Sequence, residues 1–210
     1  MTGSAGVDPA QNDGRRFVGI DLGARRLHVA TLVAGVATVD VVAPADVVAA
    51  CDGAERIAID APSDPATGRV HPGAPSPKFA LARCGEIAAG EQLGVWVPWV
   101  TPTVDDAPGW MRTGFAVWAA LRAAGHEPIE VYPAGCFWLR NGRRWPPRKA
   151  TPAGRAARLS LLGATCAADG HDAVDAVMAA EVAADPGSIR AGHDDPGCDG
   201  SAIWFPSLDG

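Results

Sequence analysis

The chain has 210 residues, 48% of them hydrophobic and 20% charged, and a net charge of −6, which suits one soluble domain with a full core and would cramp two. No apolar run approaches the ~20 residues of a membrane span, and "MTGSAGVDPAQNDGRR" lacks an apolar signal core, so residues 1–15 read as a disordered tail, 16–210 as a single domain, and the protein as cytoplasmic. Five cysteines, odd in number, scattered and without a C-x-x-C, argue against a disulfide framework and a thiolate zinc site, and predict reduced thiols.

"RFVGIDLG" (16–23) predicts a short apolar strand ending in Asp21 and a glycine. "RLHVATLVAG" and "VATVDVVAP", separated by the turn signal Ala34-Gly35, complete an antiparallel three-strand meander. "PADVVAACDG" predicts a brief helix closed by Gly53, and "RIAIDAP" (56–62) a fourth strand ending in Asp60. The Pro- and Gly-rich stretch 61–77 is too long for a plain connector, and loops of that size usually carry function or are disordered. "KFALARCGEIAAG" predicts a helix, "EQLGVWVPWVTP" irregular structure, and "APGWMRTGFAVWAALRAAG" an amphipathic helix with Met111, Phe115 and Trp118 on one stripe. "EPIEVYPAG" gives a fifth strand over 127–132. Thr151 and Pro152 mark the N-cap and first turn of a helix running to about Ala168. "HDAVDAVMAAEVAAD" (171–185) follows as a buried helix, and "CDGSAIWFPSLDG" adds a small strand around Ile203–Phe205. The order β-β-β-α-β-α-α-β-α-α-α defines an α/β fold with a mixed five-stranded sheet, its fourth and fifth strands parallel to the first, flanked by helices.

Asp172 and Asp175 stand three apart at the start of a helix otherwise built for burial, which puts them on one face, roughly 5–6 Å apart at Cβ. Dipole compensation accounts for one acid in a first turn but poorly for a pair. Asp21 and Asp60 each end an apolar strand, and sites in parallel sheets form beyond that edge. If the helix start points at the same edge, four carboxylates meet, and they cannot all stay ionised without counter-charge. Mg²⁺ or Mn²⁺, which take oxygen ligands, would supply it. Between Arg140 and Arg158 lie seven of the chain's 18 basic residues and no acid, a stretch able to meet phosphates on an otherwise acidic protein.

The acids in "GID", "IAID" and "HDAVDA" on this strand order resemble the RNase H-like superfamily, above all its RuvC-type resolvase branch, where a comparable helix start supplies the last acids. The segment "YPA…PRKATPAGRAARLSLL" is similar to the one that precedes that helix in resolvases. More narrowly, "VGIDLG", "RCGE" (Arg83, Cys84, Glu86), "EVYPA", "HDAVDAVMAA" and the closing "IWFP" resemble domain-of-unknown-function family 429, described as predicted RNase H-like nucleases, over nearly the whole chain from Arg16. The resemblance implies metal ligation and catalysis by Asp21, Asp60, Asp172 and Asp175 with Mg²⁺ or Mn²⁺, Asp60 standing where resolvases carry a Glu. Glu130 is a further catalytic candidate, and Lys149, Arg148, Arg155 and Arg83 are candidates for phosphate contacts. Arg83 and Glu86 also have the spacing of a helical ion pair, and His171 reads as a neighbour of the helix N-terminus.

The implied activity is hydrolysis of phosphodiester bonds by a two-metal, RNase H-like mechanism on nucleic acid or a nucleotide-containing substrate, with DNA or RNA and a homodimer both left open. The acidic balance favours a small or single-stranded substrate over a long duplex, whose binding needs many phosphate contacts. Two other functions compete: a binding or scaffold protein that has lost catalysis, and a nucleotide phosphotransferase of the actin and sugar-kinase type. The latter needs a second Gly-rich phosphate loop, which the sequence does not offer.

Overall fold

A computed structural model describes residues 14–23, 25–71 and 74–208; most of the expected N-terminal tail, residues 1–13, lies outside them. Strands β1 (Arg16–Leu22), β2 (Leu27–Val33) and β3 (Val36–Val42) form the expected antiparallel meander. Ala34 and Gly35 both take positive φ (47° and 77°) at the β2–β3 turn, the geometry that a two-residue hairpin with right-handed strand twist requires. Strands β4 (Arg56–Asp60) and β5 (Ile129–Val131) run parallel to β1. The sheet is larger than the five strands expected. Its order is β6-β3-β2-β1-β4-β5-β8-β7, with β6 at Thr165–Cys166, β7 at Ile189–Gly192 and β8 at Ala202–Phe205. Strand β8 coincides with the predicted terminal strand; β6 and β7 are edge strands of two and four residues, too short for a period-2 signal.

Six helices are found among the described residues: α1 (Val47–Ala50), α2 (Cys84–Leu93), α3 (Gly109–Ala123), α4 (Pro133–Arg140), α5 (Pro152–Leu159) and α6 (His171–Ala184). Two depart from prediction. Helix α2 starts at Cys84 rather than near Lys78, because Glu86 Oε2 accepts the Arg83 backbone N–H at 3.1 Å and caps it there. Helix α5 is capped by Thr151 as predicted, its Oγ1 accepting from Gly154 N at 3.0 Å, but stops at Leu159 rather than Ala168. Beyond it, Ala164 N donates to Glu181 Oε1 (2.7 Å) and Thr165 N to Gly35 O (2.9 Å), so tertiary acceptors replace helical ones.

Alternation along the strands divides the core. Val18, Ile20, Ile57 and Ile59 pack with Val117, Trp118 and Leu121 of α3 on one face. Phe17 and Ala58 belong to the cluster that contains α6. Helix α6 lies unusually close to β1 at Gly19: a Cβ there would fall 2.1 Å from Ala176 O and 2.2 Å from Ala180 N. The all-Ala stripe of α6 permits this approach, and it sets the position of the acids. Two residues beyond Gly19 on the same face of the strand is Asp21, ~6.6 Å along. One helical turn back from Ala176 is Asp172, ~6 Å along. Gly19→Ala is therefore expected to destabilise by at least about 3 kcal/mol and to lower the melting temperature correspondingly, since the obstacle is helix backbone rather than a movable side chain.

Cys84 and Cys198 form a disulfide with Cα atoms 5.7 Å apart, across a sequence separation of 114, correcting the expectation of five reduced thiols. The pairing joins the first residue of α2 to the loop before β8, a proximity with no local signature in the sequence. Cys51, Cys136 and Cys166 are free. No helix among the described residues is long and apolar enough to cross a membrane.

Candidate metal centre

Strands β1 and β4 are parallel neighbours, with Asp21 directly opposite Asp60 at their carboxyl ends. The N-terminal part of α6 faces this pair. One carboxylate oxygen from each of Asp21, Asp60 and Asp175 lies within 4.8 Å of the other two. Asp175 is only 3% exposed; its Oδ2 accepts from Lys149 Nζ at 2.8 Å, while its buried Oδ1 has no hydrogen-bond partner. Glu181, two turns further along α6, shows the contrast. It is also buried, but its carboxylate is satisfied by Arg140 and by Ala164 N. One acid of the helix is thus consumed by the fold, and another, beside two more carboxylates, keeps an oxygen without a partner.

The electrostatics follow from that crowding. Burial, then the charges of Asp175 and Asp172, push the Asp21 carboxyl up from 3.8 to about 7. Burial, then Asp21 and Asp175, hold Asp60 well above the usual carboxylate range, and a hydrogen bond between Asp21 and Asp60 favours the proton on Asp60. Asp175 is raised by burial, an effect that Lys149 partly offsets. Burial opposes the Lys149 charge, but Asp175, Asp21 and Asp60 outweigh it and raise the ammonium above its ordinary value. Lys149 is placed by Arg158, a buried residue whose guanidinium donates to Pro147 O (2.8 Å) and Gly154 O (3.2 Å) and so ties the 147–151 loop to α5.

The other candidates separate. Asp172 is half exposed at the rim, 3.1 Å from His171 Nε2 and 3.9 Å from Lys149 Nζ. Arg148 is exposed beside Lys149. Arg155 is engaged with Asp169 at 2.9 Å. Glu130 is outside the three-carboxylate set: in register it lies opposite Ile59, one residue short of Asp60, so alternation turns it from Asp60, although it borders the same cavity. There its carboxylate takes both terminal nitrogens of Arg83, Nη1 at 2.8 Å, and accepts Ser63 N at 2.8 Å. Arg83, 2% exposed and held also by Glu86 (3.4 Å), is a buried ion-pair partner that borders the same cavity as the acids. Glu86 in turn accepts from Thr101 N at 2.9 Å. This network secures the chain just beyond Asp60.

One residue was missed altogether. His28 of β2 pairs across the strand with Asp21, and a second set of ligand atoms within 4.8 Å of one another is Asp21, His28 and Asp172. The acids open into a cavity of about 500 Å³ whose other walls include Leu22, Trp99, Trp110, Met111 and Tyr132.

The donor set fits a hard divalent cation. Oxygen ligands converge, one buried oxygen lacks a partner, and the cluster as it stands forces carboxyls to hold protons near neutrality. Fold and site together describe an α/β protein with an acidic centre at the carboxyl ends of adjacent parallel strands. Residues 103–196 match the family model described as "Protein of unknown function (DUF429)", a narrower span than the likeness read from Arg16 onward. The matched segment carries Lys149, Asp172 and Asp175, while Asp21, His28 and Asp60 precede it. No curated protein and no solved structure matches the chain.

Proposed function

We propose that this protein is a divalent-cation-dependent, RNase H-like nuclease that hydrolyses phosphodiester bonds, with Mg²⁺ or Mn²⁺ held by Asp21, Asp60 and Asp175 and approached by Asp172. The observation that carries the reading is the meeting of three carboxylates from β1, β4 and α6, with Asp175 Oδ1 buried and unpartnered. Bound cations would orient and activate a water and stabilise the leaving oxygen. The chain's own groups do the rest. Asp21 and Asp60 are close enough to share a proton and release it when counter-charge arrives. Lys149, now paired with Asp175, supplies a positive charge at the wall of the cavity, and the exposed Arg148 is its chain neighbour.

The cavity wall favours a single-stranded or nucleotide substrate. Trp99 is 65% exposed and borders the same cavity as the acids, an aromatic surface on which an unpaired base can stack for about 1–3 kcal/mol. Trp99→Ala is expected to raise KM by about tenfold on single-stranded substrates with kcat nearly unchanged, measured by steady-state cleavage. The reading itself is tested by incubating the protein with single-stranded, duplex and branched DNA and RNA in Mn²⁺, beside Asp21→Asn. Cleavage by the wild type alone supports it, and cleavage surviving the substitution overturns it. A second reading, a nucleic-acid-binding protein without catalysis, is favoured by Lys149, which already neutralises Asp175. Calorimetric titration separates the two, because a centre satisfied by Lys149 takes up no divalent ion.

A further inference from the structure

We infer that His28 completes a second, nitrogen-containing cation site with Asp21 and Asp172, and that this site prefers transition-metal ions to Mg²⁺. The inference rests on the centre proposed above and deepens it, because Asp21 belongs to both sets of ligand atoms. His28 faces Asp21 through the antiparallel register of β1 and β2, and Asp172 reaches the pair from the first turn of α6. The three ligand atoms lie within 4.8 Å of one another, yet no hydrogen bond or ion pair joins His28 to either carboxylate. His28 Nδ1 is buried and has no hydrogen-bond partner. An imidazole that packs beside two acids without bonding to them is spaced for an intervening ion: three ligands ~2.1 Å from one metal lie about 3–3.6 Å apart, a closure of about an ångström that side-chain rotation supplies.

The chemistry of the two sets differs. Asp21, Asp60 and Asp175 offer oxygen alone, which suits Mg²⁺ and Mn²⁺ equally, whereas an imidazole shifts preference along the series from Mn²⁺ towards Co²⁺ and Zn²⁺. The carboxylate of Asp21, facing both, is the shared ligand. His171, 3.1 Å from Asp172 Oδ1, is placed to orient that carboxylate.

Mn²⁺ binding by calorimetry, with electron spin-echo detection of nitrogen bonded to Mn²⁺, tests this on the full-length wild type, His28→Ala, His28→Gln and Asp175→Asn, each checked for fold by circular dichroism. Two ions in the wild type are expected, one of them persisting in millimolar Mg²⁺ with a directly coupled nitrogen. In both His28 variants the nitrogen coupling should vanish and that ion's affinity should fall by at least about tenfold, the scale on which even outer partners of a metal are felt. Two ions bound with unchanged affinity in His28→Ala and His28→Gln would overturn the inference. So would a single wild-type ion that Asp175→Asn abolishes and the His28 variants retain, an outcome that leaves the nuclease reading standing. No ion bound by the wild type would overturn both.

Discussion

Asp21→Asn is expected to lower cleavage by more than about a hundredfold, beyond the range seen when an outer partner of a metal is lost, and at the same time to make the cation-free protein more stable at pH 8. Both effects have one origin. Asp21 is 6% exposed and faces two other carboxylates, so its carboxyl is lifted from 3.8 to about 7. A carboxyl raised in the folded state contributes its full stability below about pH 4, where folded and unfolded chains both hold the proton. That contribution is lost as pH rises through about 7, where the folded chain must ionise against its neighbours while the unfolded chain did so earlier. A shift of roughly three units at about 1.4 kcal/mol each sets a ceiling of ~4 kcal/mol, and sharing the proton with Asp60 reduces what a single substitution recovers. A gain of about 1–2 kcal/mol corresponds to about 2–8 °C in a chain of this length. Scanning calorimetry of wild type and variant at pH 5.5 and 8 without divalent ions checks it: the difference should appear at the higher pH and shrink at the lower. Adding Mn²⁺ at pH 8 should stabilise the wild type and leave Asp21→Asn nearly unmoved. A variant less stable than the wild type under cation-free conditions at pH 8 would show that Asp21 is a structural acid.

That stability penalty also explains how much of the centre was legible from sequence. Asp21 and Asp60 end apolar strands, and Asp175 sits where a buried alanine helix has no structural use for a charge; each is a local anomaly, visible without coordinates. His28 is not anomalous. In "LHVATLV" it reads as the polar position of an ordinary strand, and only the β1–β2 register, set by the short connection 23–26, brings it opposite Asp21. The basic stretch is the reverse case. Its charges look like one phosphate-facing surface, but the fold gives five of the seven separate partners: Arg140 to Glu181, Arg155 to Asp169, Arg158 to backbone carbonyls, Arg143 to Leu93 O, and Lys149 to Asp175. Composition counts charges and cannot say which are already paired. The five central strands were readable because hydrophobic alternation marks them, whereas β6 and β7 depend on partners far away in the chain. The Cys84–Cys198 pairing is hidden for the same reason.

Glu130 was the acid that sequence could not assign, and its substitution should give the mirror image of Asp21→Asn. Glu130→Ala is expected to destabilise by about 3–5 kcal/mol, the usual consequence of removing one partner of a buried pair, because Arg83 is 2% exposed and would keep its charge with only Glu86, at 3.4 Å, to balance it. The Ser63 backbone N–H would lose its acceptor as well. A melting temperature lower by roughly 6–20 °C follows from that range. Well below the transition, where the variant is folded, kcat should stay within about threefold of the wild type, since Glu130 borders the cavity but its carboxylate is spent on Arg83 and lies outside the set formed by Asp21, Asp60 and Asp175. Replacing both partners, Arg83→Met with Glu130→Leu, should recover much of the loss, as apolar substitutes of similar volume often do for buried ion pairs. Thermal melts of the three variants beside single-turnover cleavage separate the two roles: a stable Glu130→Ala protein without activity would make Glu130 catalytic, whereas a labile but active one makes it the brace that holds the loop after Asp60 in place.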